Sequence, residues 1–468
     1  MKINTYILRG ILIIGLLNLC ACEEFVEVAP PNNKLVSEEV FNSDATARSA
    51  MTGIYNQLFL AEFSNGSRSS ITVLSGLSAD NIQNINPNVL TRMQFENNDL
   101  LADNESNLAI WSSAYSIIYM TNAMLEGLGN SSNISAELSD QLEGEARFIR
   151  AFTYFYLVNL YGDLPLILTT NYKENQLASR MSKNDIYLQI VNDLEVAMAL
   201  LPSEYTTGER TQVNKYAAIA LSARVHLFLK DWEKAIDLSA MVIDASSTYE
   251  LLNNINDVFL ANSREAIWQI SPIGGGGGLT QTNEGSLFII HPVFSFLASI
   301  KLRPSFATTF EGEDLRFQNW IGYHEGEDAF FAYKYKIWNS SEFPIEEYSM
   351  VLRFAEQYLI RAEAYAQTGN LTEAIKDIAI IQQRAGLSPV SETKPNISQE
   401  ELLDLIMEER RKELFAEWGH RWFDLQRIDN DGVTLSDIKP LWETTDFLYP
   451  IPSEERRKNP NLSQNEGY

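Results

Sequence analysis

Glu408-Glu-Arg-Arg-Lys-Glu-Leu-Phe-Ala-Glu-Trp-Gly-His-Arg-Trp-Phe-Asp-Leu-Gln-Arg427 interleaves ten charges with two Trp and two Phe. It continues a helical pattern that begins at Ser398, where Ser398 and Glu401 have the spacing of a capping box. Leu402, Leu405 and Ile406 open an apolar stripe, and Leu414, Trp418, Trp422 and Leu425 extend it in steps of three and four. The spacing therefore predicts helix throughout. Beside the stripe, charges stand in helical reach of one another: Arg410 with Glu413, Glu417 with Arg421, and Arg421 with Asp424. An exposed helix has no use for so much aromatic surface, so these pairs are predicted to be at least partly buried. Cationic neighbours lower a carboxylate's pKa and unfit it as a general acid. The stretch reads as a structural network, with no catalytic residue assigned.

The end of the chain is equally distinctive: Leu448-Tyr-Pro-Ile-Pro452, then Glu454, then Asn459-Pro-Asn-Leu462 and Gln464-Asn465. These two stretches together resemble the C-terminal signature of the SusD/RagB family of surface glycan-binding lipoproteins. Gly144 to Asp163, with Arg150-Ala151 and Tyr161-Gly162-Asp163 followed by Pro165, resembles another segment of that family.

At the other end, Lys2 and Arg9 precede the apolar run Ile11 to Leu17, too short to cross a bilayer and right for a secretory signal peptide over residues 1–21. Leu19-Cys20-Ala21-Cys22 reads as a lipobox with Cys22 as the acceptor thiol. Cleavage there removes Cys20, leaving one acylated cysteine and no disulfide, and moves the net charge from −26 to −28 with the loss of Lys2 and Arg9. Residues 22–40, with Glu23, Glu24, Pro30 and Pro31, read as a lipidated tether.

Apolar residues make up 45% of the chain, enough for a large core. The negative charge argues against nucleic acid and against direct adhesion to anionic lipid. There is no P-loop, dinucleotide fingerprint, HExxH or GxSxG. The four histidines, His226, His291, His324 and His420, are scattered without metal-ligand spacing. No metal and no cofactor is expected.

Four segments read as helical hairpins of tetratricopeptide type. Tyr216 to Lys230 leads into Asp231 to Asp237, and Tyr358 to Asn370 into Leu371 to Asp377, with Ala223 and Ala235 matching Ala362 and Ala374. Gly144 to Asp163 with a helix over about 185–201 makes a third, and Ser43 to Leu60 with Ser106 to Leu128 a fourth. The expected fold is mainly α: one SusD-like domain over 41–468 with a frame at about 41–250 and 351–430. Insertions at about 63–103 and 251–350 interrupt it, the second an irregular α+β region, and 431–468 closes the chain.

Function is sought in the insertions. The first is polar and contains Asp80, Asn81, Arg92 and Phe95. The second carries strand-like Ala266 to Ile270 and Phe331 to Ile337, five consecutive glycines at 274–278 read as a flexible loop, and many aromatics. Sugar rings stack their C–H faces on aromatic rings while amides and charges bond the hydroxyls. Trp320, Tyr323 and Trp338 lie among polar and glycine residues and are the preferred ligand platform, with Asn81 and Phe95 as further candidates. The alternative for each is a place in the insertion's own small core.

The family resemblance implies a lipid-anchored protein on the outer face of the outer membrane that binds a nutrient, usually an oligosaccharide. It would pass that nutrient to a SusC-like TonB-dependent β-barrel transporter without catalysis. A peptide ligand on the same fold is the alternative, and a surface glycoside hydrolase a more distant one. The resemblance carries over the structural motif at Arg410, Glu413, Glu417, Arg421 and Asp424.

Overall fold

A computed structural model of the protein describes residues 40–428 and 433–468. The signal peptide, Cys22 and the tether fall outside them. Helices dominate, and they pack in consecutive pairs. α1 (Asp44–Leu60) opens the chain and α2 (Ile71–Ser78), strand β1 (Ile82–Asn84) and α3 (Leu90–Asn97) follow it. Next come α4 (Glu105–Asn130), α5 (Ala136–Tyr161), α6 (Lys183–Leu200), α7 (Lys215–Phe228) and α8 (Trp232–Ile243). After the central insertion, α11 (Phe354–Gln367) and α12 (Leu371–Arg384) form the last pair before α13 (Gln399–Glu413) and α14 (His420–Ile428).

Local chemistry sets these boundaries. Ser43, Asn104, Ser182, Asn214 and Asp231 each accept a backbone N–H at the start of α1, α4, α6, α7 and α8. Ser398 and Glu401 form the full capping box ahead of α13. Gly162, at φ 71°, ends α5 in a conformation that a side chain resists. Ala223, Ala235, Ala362 and Ala374 are all fully buried, so small residues do sit where the paired helices meet. α5 is the central element: Phe148, Phe152 and Tyr156 follow one another along it and pack edge-on against Trp268, Phe63 and Trp418.

The second insertion is bracketed by β4 (Ala266–Ile270) and β8 (Ser349–Arg353), paired antiparallel with Ala266 opposite Arg353 and Ile270 opposite Ser349. β8 runs directly into α11, which returns the chain to the frame. Between them lie α9 (Asn283–Phe288), β5 (Ile300–Leu302), α10 (Leu315–Trp320) and the hairpin β6 (Ile321–His324) with β7 (Ala329–Ala332). β5 pairs with β1, joining the two insertions, while β2 (Leu164–Pro165) and β3 (Arg180–Met181) form a short ladder beside α5.

Four expectations need correction. The helix expected through Arg427 breaks after Glu413: Ala416, Trp418 and Gly419 all have positive φ, and a new helix starts at His420. Burying Trp418 against α5 and turning Glu413 and Glu417 toward partners outside the helix outweigh the local propensity. The strand expected over Phe331 to Ile337 stops at Ala332, after which Tyr333 donates its N–H to the Trp320 carbonyl. Pro272–Gly275 is a 3₁₀ turn, and a side chain at Gly274 would come within 2.9 Å of Asn56 on α1. Lastly, the first insertion is largely core rather than exposed loop, with Ile71, Val73, Leu74 and Leu77 of α2 fully buried.

Candidate functional site

Most charges of the 408–427 stretch are buried or nearly so, and many of their partners come from elsewhere in the chain. Glu413 binds Arg353 at 2.6 Å, Arg316 at 3.4 Å, and Arg384. Glu417 binds Arg353 at 2.8 Å and Lys334. Arg410 reaches Asp424 at 3.1 Å, and Asp424 also holds Arg427 at 2.7 Å. Arg421 grips Asp80 with two bonds of 2.7 and 2.8 Å, and Arg411 adds a third contact to Asp80 at 2.9 Å. The pairs expected along the helix, Arg410–Glu413, Glu417–Arg421 and Arg421–Asp424, are replaced by these: the break after Glu413 brings Arg410 to Asp424 on the second helix, while Glu413, Glu417 and Arg421 turn to Arg353, Lys334 and Asp80.

Burial alone would raise the Glu413 carboxyl, but Arg384, Arg353 and Arg316 together hold it well below the usual carboxylate range. Burial pulls Lys334 down to about 8, with Glu417 opposing. His420 is depressed first by burial and then by Arg224 and Arg410, so it stands neutral. Such a network fixes orientation and is closed to substrate.

Trp320 belongs to this network rather than to a ligand platform. It is 0% exposed, donates its indole N–H to the Ile255 carbonyl at 2.9 Å, and carries the Lys334 ammonium 4.8 Å above its ring. Asn81 is buried and accepts from Arg411 at 2.7 Å. Phe95 is buried edge-on to Tyr449. These three sequence candidates offer no face to a ligand. Tyr323 is 50% exposed, its hydroxyl bonded to Asp328 at 2.7 Å. It stands across from Phe330 on the β6–β7 hairpin, while the adjacent pair, Gly322 and Phe331, faces the other side, where Phe331 packs with Trp338 and Tyr333. The hairpin thus separates Tyr323 from Trp338.

Around Trp338 the structure assembles an aromatic group. The His291 ring centroid lies 4.5 Å from that of Trp338 and 4.9 Å from that of Phe294. Phe294 stacks on Trp338 at 6.0 Å with a 21° angle, and Phe296 meets Phe294 edge-on. Phe294 is 43% exposed and Phe296 77% exposed, with Val293 and Leu297 open beside them. His291 Nδ1 accepts the backbone N–H groups of Val293 and Phe294, which fixes the turn that presents these rings. Ile289, Ile290, Ala329 and Phe331 form a buried floor with Ile85 and Tyr333. A supported patch with the Phe294 and Phe296 rings exposed has the chemistry to stack on sugar C–H faces. Phe294 and Phe296 are visible in the sequence as aromatics, and His291 as one of four scattered histidines without metal-ligand spacing. The signal that could have joined them is the short spacing His291-Pro-Val-Phe-Ser-Phe296. Among the described residues no group of acidic, His or Cys side chains could hold a metal ion.

The chain is similar to the SusD/RagB family along most of its length. One family model, described as the SusD family, matches residues 328–468, and a second, described as starch-binding and associating with the outer membrane, matches 24–227. The chain is 26% identical to SusD-like protein P25 of Formosa agariphila, with all of both chains covered. It is 24% identical to the starch-binding protein SusD of Bacteroides thetaiotaomicron, covering 69% of this chain and 72% of that one. A SusD superfamily structure from Bacteroides vulgatus matches with a TM-score of 0.79 at 21% identity, covering 92% and 100% of the two chains. A laminarin-binding SusD-like protein matches at 0.75 with 21% identity and the same coverage. At these identities the two structures establish the mainly helical fold.

Proposed function

We propose that this protein captures an oligosaccharide at the cell surface and hands it to a TonB-dependent β-barrel of the SusC type, without catalysis. The observation that carries the reading is the His291–Phe294–Phe296–Trp338 cluster on its buried floor, in which Phe294 and Phe296 are exposed and His291 and Trp338 are partly buried. The starch- and laminarin-binding relatives support a glucan as the first class to try. The buried, charge-paired state of Glu413, Glu417 and Asp424 supports a binding role over hydrolysis. Cys22 is the proposed lipid anchor, holding the body outside the outer membrane. No helix among the described residues is long and apolar enough to cross a membrane, which fits a role that depends on a separate channel.

The test is calorimetric titration of purified protein with starch and laminarin oligosaccharides and a wider glycan panel, with hydrolysis followed in parallel. Trp338→Ala and Phe296→Ala should each weaken glycan binding by about 1–3 kcal/mol, by analogy with other aromatic stacking platforms, without lowering Tm for Phe296→Ala. Binding of peptides but no glycan, or turnover of any glycan, would overturn the reading. Extraction in mild detergent should recover the barrel with this chain, and mass spectrometry should find Cys22 acylated.

A further inference from the structure

Trp111, Tyr115 and Tyr119 follow one another on α4 in steps of four, so they line one face of that helix. The Trp111 and Tyr115 rings lie 4.9 Å apart, and Tyr161 of α5 meets Trp111 edge-on at 5.0 Å. Those two rings are held in place by the frame. Tyr119 is 55% exposed, and Tyr172, in the segment between β2 and β3, is 73% exposed. Together with Glu455, Lys458 and Asn459 near the end of the chain, the four rings line a cleft of about 530 Å³. A second cleft, of about 590 Å³, meets the first at Tyr119 and Thr170 and runs on past Glu126 to Asn130. The two follow α4 from Trp111 to Asn130, about 28 Å at 1.5 Å rise per residue. They share no residue with the His291–Trp338 cluster, so this groove is a separate place on the molecule.

The groove carries hydrogen-bonding groups that the described chain leaves unused. The hydroxyls of Tyr119 and Tyr172 have no partner among the described residues. Neither has the indole N–H of Trp111, a residue only 3% exposed. The buried indoles of Trp320 and Trp418 each donate to a carbonyl. Those of Trp268 and Trp422 are unpaired but sealed in the core, whereas the Trp111 N–H is not sealed and its residue borders the cleft. A donor so placed calls for an acceptor from outside. The charges, by contrast, are already engaged. Lys458 pairs with Glu455 at 2.9 Å, and Glu126 accepts both the N–H and the hydroxyl of Thr170. The groove therefore suits an uncharged ligand rich in hydroxyls.

A peptide strand finds no edge to join here. Along the wall after β2, the Pro165, Ile167 and Thr169 carbonyls accept from Tyr115, Tyr154 and Asn175. The Ile167 N–H donates to Tyr154 and that of Thr170 to Glu126. Strand addition needs open main-chain groups, and side chains have taken these. Recognition falls to the rings, hydroxyls and amides.

We propose that the groove along α4 is a second oligosaccharide site. It takes a neutral sugar chain whose C–H faces stack on Tyr119 and Tyr172 and one of whose hydroxyls accepts from the Trp111 indole. This extends the oligosaccharide-binding reading and rests on it for the class of ligand.

The experiment is calorimetric titration of the full-length purified protein with starch and laminarin oligosaccharides, read for stoichiometry as well as affinity. Wild type should bind at two sites. Tyr119→Ala or Tyr172→Ala should weaken one of them about fivefold or more, and the double variant should leave a single site with Tm unchanged, since both side chains are exposed and unbonded. Trp111→Phe keeps a ring but loses the N–H, and should weaken the same site. Phe296→Ala should weaken the other. One site that the tyrosine variants leave untouched would overturn the groove and leave the oligosaccharide reading standing. One site lost with the tyrosines but kept in Phe296→Ala would uphold the groove and remove the cluster's role. A mixed peptide library bound through Tyr119 and Tyr172, with no glycan bound there, would also overturn the proposal. No binding to any glycan would sink both readings.

Discussion

Replacing Glu413 with Gln removes one charge at the centre of the buried network and little volume. Glu413 is fully buried and faces Arg353, Arg384 and Arg316. Arg353 keeps Glu265 and Glu417, Arg384 keeps Glu265, and Arg316 keeps Asp314 and Glu409, so the loss is shared. Breaking a buried pair costs about 3–5 kcal/mol, and the retained partners place this case near the lower end, about 3 kcal/mol. With about 2.1 cal/mol/K of unfolding entropy per residue over roughly 425 residues, Tm should fall by about 3–4 °C. The pH dependence adds a second signature. The folded pKa of Glu413 lies below its ordinary value, so its contribution is present above the unfolded carboxyl pKa of 4.5 and is lost as pH falls through the folded value. Wild type and Glu413→Gln should therefore differ steadily from pH 6 to 8 and converge in strong acid. Urea unfolding at pH 7 and pH 3, with the exposed Glu400→Gln as control, measures both. A Glu413→Gln protein as stable as wild type at pH 7 would refute the claim that this network holds the fold together.

Trp320→Ala should cost about 3–5 kcal/mol of stability by opening a cavity under Lys334, and the glycan affinity of whatever folded protein remains should match wild type. Arg421→Ala should cost less, about 1–3 kcal/mol, because Arg411 still holds Asp80; urea midpoints compare the two. Glu284 titrates near 7 when folded against an ordinary 4.5. Its protonated form stabilises the fold below the unfolded pKa, and that contribution is lost as pH rises through 7. Glu284→Gln, neutral at every pH, should match wild type near pH 5 and exceed it at pH 8 by on the order of 1–3 kcal/mol; Tm against pH for both proteins checks the crossover.

The sequence by itself determined the helical frame. Its evidence was local: N-cap residues, Gly162, alanines at the helix contacts, and the capping box at Ser398 and Glu401, all of which act within one or two turns. The family followed from motifs that are contiguous in the chain. It was also clear that the charges of 408–427 are buried, because two tryptophans and two phenylalanines need cover. Their partners could not be read. Arg421 meets Asp80 across 341 positions and Glu413 meets Arg353 across 60, and spacing along one helix says nothing about contacts at such separations. The same limit governs the binding site. Trp320, Tyr323 and Trp338 lie close in sequence and similar in setting, yet folding buries the first, faces the second away and exposes the environment of the third. An aromatic ring's role is fixed by what covers it, and only the tertiary packing of α9, β5 and the β6–β7 hairpin decided that His291, Phe294 and Phe296 would gather around Trp338, with Phe294 and Phe296 exposed.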